Sequence, residues 1–185
     1  MLPEDTGEAA LIRPLLAQTF LETTPLQLIY NADEHGWSAA MFHKRVNTYG
    51  AAVVIAETEG GAVIGGYNPD GWIGLGEDRD SNAAFLFTWP DGNTAAARPV
   101  KLPKAGGASQ AVLDRPGAGP IFGPDGLRVP MEPADPKRVR ALLSLRLCST
   151  STASLPAGFC ALRPECHSIG RHVHMLSMLC SGIGL

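Results

Sequence analysis

Between residues 8 and 21 the apolar side chains Leu11, Ile12, Leu15, Leu16, Phe20 and Leu21 recur at helical spacing, which predicts an amphipathic helix. Pro14 falls inside the pattern, so the helix is expected to begin near Arg13 or to kink there. The period then changes. Residues 26–30 read as a strand and residues 31–36 as a turn rich in Asn, Asp and Gly. Ser38 stands as the N-cap of a short helix running to Val46. Trp37 and Phe42 occupy the N′ and N4 positions of that helix, the spacing of a hydrophobic staple.

Strand patterns fill the middle of the chain. The apolar runs 51–56 (AAVVIA) and 62–67, joined by about five turn residues, predict a β-hairpin. Residues 68–82 form a long polar, glycine-rich loop. Residues 83–89 (AAFLFTW) are apolar throughout and bounded by Pro-Asp-Gly-Asn, which predicts a central strand with a hairpin partner at 95–102. From 103 to 133 the chain reads mostly as loop, with brief extended pieces at 111–113, 121–122 and 127–129. Asp135 and Pro136 are placed as cap and first residue of a helix reaching Leu147.

Composition narrows the class. The 185 residues include 21 Gly and 15 Pro, and 23 of these lie between residues 60 and 133, which excludes a helical bundle through the middle. An apolar content of 45% excludes wholesale disorder, and the length is that of one domain. Residues 1–136 carry 9 Lys/Arg against 17 Asp/Glu, whereas 137–185 carry 6 Lys/Arg against the single acid Glu165. An acidic body argues against nucleic acid as a partner. All four cysteines lie at or beyond Cys148, so no disulfide framework holds the body, which suits a reducing compartment. Glu4, Asp5 and Glu8 stand where a secretory signal would be positive. The apolar run at 175–185 is far shorter than the roughly 20 residues of a membrane span. A soluble cytoplasmic protein is the expectation.

Gly74-Leu75-Gly76 lacks the third glycine of a dinucleotide loop, and the Gly60–Gly66 run lacks the Lys-Ser/Thr of a phosphate loop. Asp78, Asp80 and Asn82 sit at calcium-loop positions, but Ala83 and Trp89 stand where that loop needs Gly and Glu. Cys160, Cys166, His167, His172, His174 and Cys180 are zinc-type residues without the two close pairs of a structural site, and read as free thiols and histidines of a tail. Asp33, His35 and Ser38 crowd one turn without a nucleophile elbow, so Asp33 and Ser38 are expected to bond local backbone groups while His35 is solvated. No cofactor, metal or catalytic residue is expected from these motifs.

Three pieces in order, LIYNADEHGWSAAMFHKRV, GAAVVIAETEGGAVIGGYNPDGW and SNAAFLFTW, resemble the core of a TLDc domain, the module of the oxidation-resistance proteins. Gly119-Pro120-Ile121-Phe122-Gly123 with Asp125-Gly126-Leu127 resembles the family's later segment, and Gly-Gly-Tyr-Asn-Pro followed by Trp has the flavour of the plant and algal subgroup. The resemblance implies a mainly β (α+β) fold, a two-sheet β-sandwich with short peripheral helices. Residues 8–135 are read as that domain, incomplete, and 136–185 as an atypical helix and low-order tail from a splice form, an unspliced intron or a gene-model error. On this reading the sheet lacks its closing C-terminal strands.

The resemblance also implies a non-enzymatic binding module that protects against oxidative stress, with the vacuolar proton ATPase as a partner. It supplies no catalytic residue. Loop 68–82 is the expected contact surface through Trp72, Asn68, Asp70, Glu77, Asp78 and Asp80, with Trp72 equally placed as core. The rival readings are a small hydrolase or thiol-based redox enzyme using His35 or the tail thiols, and a truncated product without function. Oligomeric state stays open.

Overall fold

The computed structural model describes residues 5–58, 60–129, 131, 140–143 and 170–181. Its centre is β2 (Ala52–Thr58), buried at every position but Glu57. Successive side chains of a strand point to opposite faces. Ala52, Val54 and Ala56 therefore enter one core while Val53 and Ile55 enter a second. The expected hairpin joins β2 to β3 (Val63–Asn68), and the antiparallel ladder continues through β5 (Phe85–Trp89) to the edge strand β6 (Val100–Pro103).

On its other edge β2 pairs with β11 (Gly170–Ser181), from Val173 opposite Thr58 to Cys180 opposite Ala52. The far edge of β11 pairs with β1 (Leu26–Asn31). The last strand thus separates the first two. Met178 packs into the first core and Leu179 into the second, so β11 alternates as an interior strand does. This corrects the expectation of a sheet without its closing strand: pairing along both edges and the burial of Met178 and Leu179 place β11 inside the sheet. The expected helix at 135–147 is corrected too. Arg140–Leu143 is a strand, β10, bonded to β9 (Leu127–Arg128) and to the start of β11, and this pairing overrides a local cap signal. The rest of that expected helix lies outside the described residues.

A smaller layer of short strands covers one face. It comprises β8 (Ile121–Phe122), β9 and β10, beside a ribbon of β4 (Asp78–Arg79) and β7 (Val112–Leu113). The extended pieces expected at 111–113, 121–122 and 127–129 correspond to β7, β8 and β9. With α2 (Ala32–His35) and α3 (Ala39–Val46), this layer encloses Tyr30, Phe42, Trp72, Phe122 and Leu127. Trp37 packs against the same cluster, as the staple spacing implies. Burial pushes the Tyr30 phenol up to about 12, and its hydroxyl donates to the Gly36 carbonyl at 2.6 Å. The architecture is mainly β, sandwich-like, with short helices at the periphery.

The opposite face is covered by α1 (Gly7–Ile12), which passes into a 3-10 turn, Arg13–Leu16, where Pro14 enters. Ile12, Leu16 and Leu21 are at most 1% exposed over Val53, Ile55 and the aromatic side chains of β5. Each contributes about 1.5–3 kcal/mol by leaving water. Arg13 fixes the path of this cover: it pairs with Asp5 and donates to the Leu21, Glu22 and Thr24 carbonyls. A pair at the protein's surface contributes only about 0–1 kcal/mol, so burial drives the docking and Arg13 sets its geometry. Lys101 ties β6 to the same turn, donating to the Leu15 carbonyl at 2.9 Å with its amine 3.9 Å from the Phe85 ring centre.

β3 owes its thinness to Gly65 and Gly66. A Cβ on Gly65 would overlap the Val54 carbonyl oxygen of the paired strand and the Phe87 ring, and one on Gly66 would lie 2.7 Å from the Phe122 ring. Phe122 can yield by rotating, whereas the Val54 carbonyl is held in the ladder. Gly65→Ala is therefore expected to destabilise more than Gly66→Ala, with overpacking costs of about 1–3 kcal/mol at Gly66 and more at Gly65, measured by urea denaturation.

Hydrogen bonding from Arg13 holds the Asp5 carboxyl below its ordinary range, against the opposing effect of partial burial. A depressed carboxyl contributes stability above its unfolded value that disappears as pH falls through the folded one. Protection factors of the amides in residues 7–21, corrected for the intrinsic slowing of exchange in acid, should fall below about pH 4 in the wild type. In Asp5→Asn those protection factors should already be lower at pH 6, by at most about fivefold for a loss of about 1 kcal/mol, and should lose this acid dependence.

Candidate functional site

At one end of the sandwich, loop 68–77 meets loop 108–118 and the C-terminal end of α3. The first loop folds on a buried asparagine: Asn68 donates to the Gly71 carbonyl at 2.8 Å and accepts the Asp70 amide at 3.1 Å. This turn sends Trp72 inward, where its ring meets Phe42 at 5.6 Å and Phe122 at 6.0 Å, both edge to face. The Trp72 carbonyl in turn accepts the Thr48 amide at 2.9 Å.

Asp114 is the electrostatic centre of this end. It is fully buried, and its Oδ2 accepts the amides of Ile73 and Gly74 at 2.8 Å each. Its Oδ1 lies 4.0 Å from Nδ1 of His43, which is 7% exposed on the inner face of α3. The Nε2 of His43 faces two acceptors, the carbonyls of Arg115 at 2.9 Å and Ala118 at 3.1 Å, so it carries the proton and donates. Nδ1 is 2.9 Å from the Asn47 side chain. An aspartate beside a histidine has the residue types of a general-base pair. Here the outward ring nitrogen is closed by backbone carbonyls, and the carboxylate is bound to amides of its own chain. The pair joins α3 to two loops.

Further out the two loops are laced together. Arg115 donates to the Gly76 carbonyl and pairs with Asp78, which also accepts from Gln110 Nε2 at 2.9 Å. Asp80 accepts the Gln110 amide at 2.8 Å. Arg79, opposite Val112, turns Nε and Nη2 into the interior, where neither has a partner among the described residues.

A family model for the TLDc domain matches residues 5–138. The chain belongs to the TLDc family. No curated protein matches it. The match ends just before β10, so two strands of the TLDc sheet in this protein lie beyond it.

The structure sorts the contact residues expected for the TLDc domain. Trp72 is 1% exposed and Asn68 is fully buried, which corrects their expected place on the surface: aromatic packing and an asparagine-centred turn draw both into the core. Asp70, Glu77, Asp78 and Asp80 are exposed. Asp78 and Asp80 bind Gln110 and Arg115, while the carboxylates of Asp70 and Glu77 form no ion pair among the described residues. The turn of Asp33, His35 and Ser38 departs from expectation: Ser38 is the N-cap of α3 by position but forms no side-chain capping bond, and His35, expected to be solvated, is bonded. His35 Nδ1 accepts the Asn31 amide at 3.0 Å, and Asp33 accepts from Trp37 Nε1 at 3.2 Å. Among the described residues no group of three or more metal-type side chains converges. The side chains of the expected tail set, Cys160 to Cys180, lie outside the described residues. Among the described residues no helix is long and apolar enough to cross a membrane.

Sequence reasoning missed Asp114 and His43. The available signals were an aspartate directly after the apolar Ala111-Val112-Leu113 and a histidine beside Phe42 on the inner stripe of α3. Asp114→Ala should strand two partly buried amides and destabilise the domain by about 2–4 kcal/mol. Hydrogen exchange at Ile73 and Gly74 should rise more than at the β2 amides, and equal acceleration throughout would contradict a local role.

Proposed function

We propose that this TLDc domain is a non-enzymatic binding module of oxidative-stress protection, acting in the cytoplasm. It engages a protein partner through the loop end of the sandwich, at Asp70 and Glu77 with Asp78 and Asp80 bracing the surface behind them. The partner class that the family resemblance favours is the vacuolar proton ATPase. The observation carrying this reading is the way the loop end spends its polar groups. His43, Asp114, Arg115 and Asn68 all bond their own backbone or neighbouring side chains, which fixes loop shape and leaves outward carboxylates on a rigid frame. Rigid presentation of an exposed loop is what recognition needs.

The test is expression of the full chain in cells lacking their TLDc proteins. Restored survival under peroxide and co-purification with the vacuolar ATPase are the expected results, both weakened by the double change Asp70→Lys and Glu77→Lys. Peroxide or ester turnover by the purified chain that disappears in His43→Gln would instead make it an enzyme.

A further inference from the structure

Leu75 stands at the tip of the first loop with 71% of its surface exposed. Its exposure is held in place by the loop. Gly74 and Gly76 flank it at φ of 72° and 81°, the left-handed region that suits glycine. Asp114 binds the amides of Ile73 and Gly74, Arg115 binds the Gly76 carbonyl, and the Asp114 amide donates to Glu77 O at 3.1 Å. The backbone on both sides of Leu75 is thus held by hydrogen bonds, most of them to the Asp114 and Arg115 side chains, while the leucine itself is exposed. A flexible loop would fold such a side chain against the nearest apolar surface.

Acidic residues outnumber basic ones around this tip. Residues 68–82 contain Asp70, Glu77, Asp78 and Asp80 against Arg79 alone. Arg79 turns two guanidinium nitrogens inward, and Arg115 from the second loop is paired to Asp78. The carboxylates of Asp70 and Glu77 remain outward.

We propose that Leu75 is the apolar anchor of the binding surface and that it docks into an apolar site rimmed by Lys or Arg on a protein partner. This rests on the reading of the domain as a binding module and names the contact through which it binds. A preorganised aliphatic anchor loses little conformational freedom on docking, and the acidic surround selects a basic rim over an acidic one. The same charge disfavours an anionic membrane surface.

Two measurements on the full chain test the inference. In the first, NMR of the isotope-labelled chain is followed with an amphipathic peptide of leucine and lysine, and separately with its leucine–glutamate counterpart. The lysine peptide should shift the amides of residues 73–77 and the glutamate peptide should not. Leu75→Ser should weaken the lysine peptide about tenfold, the scale of an interface anchor, while Phe20→Ser, at a residue 78% exposed elsewhere, should leave it unchanged. Both variants should keep the wild-type melting temperature, because neither side chain is buried. Absence of binding, shifts centred away from 73–77, equal binding of the glutamate peptide, or indifference to Leu75→Ser would each overturn the proposal. In the second, the peroxide-survival assay separates the two readings. Failure of the wild-type chain to protect counts against the binding-module function. Protection by the wild type and by Leu75→Ser alike counts against Leu75 alone.

Discussion

A strand buried on both faces needs two covers, and β2 imposes that requirement on the whole protein. Val53 and Ile55 demand one apolar layer, Ala52, Val54 and Ala56 another. The N-terminal helix, its 3-10 turn and Leu21 provide the first. The short strands after residue 110, with α3 and Trp72, provide the second. Small residues keep these layers close. Where β3 passes between Phe87 and Phe122, two glycines let the aromatic rings approach the backbone itself.

The loop end is a consequence of the second cover. Trp72 is drawn inward because the space between Phe42 and Phe122 needs a large ring, and the chain must then turn sharply on each side of it. Those turns leave amides facing inward at Ile73 and Gly74, and a buried carboxylate satisfies both. A hydrogen bond to a charged group contributes about 1.5–3 kcal/mol net, more than a neutral one. This is why a loop rich in glycine is nevertheless well defined, and why the polar residues that most resemble catalytic machinery serve as its fastenings.

Local structure was legible in the residues where one side chain or one turn decided it. Pro14 marked the break in the first helix, Trp37 and Phe42 the start of α3, and the β2–β3 hairpin followed from two apolar runs around a glycine turn. Even strands of two residues, such as Ile121–Phe122, announced themselves against a background of Gly and Pro. Features that join distant parts of the chain were hidden. Nothing near His43 in sequence indicates Asp114 or the carbonyl of Ala118. Trp72 could be assigned to surface or core only once its two aromatic neighbours were placed. β10 and β11 were missed for a related reason. The partners of β11 are β1 and β2, far back in the chain, and no residue near 170–181 in sequence indicates that pairing.

The position of β11 also orders events in time. Its neighbours Leu26–Asn31 and Ala52–Thr58 leave the ribosome long before Gly170–Ser181 exists. Until then both present unpaired edges to solvent, a hazard for association with other nascent chains. The sheet closes only after synthesis of the segment that fills the gap, across one of the longest loops the chain can form. The interval between the emergence of those two edges and the arrival of β11 is thus the period in which the growing chain is most open to association.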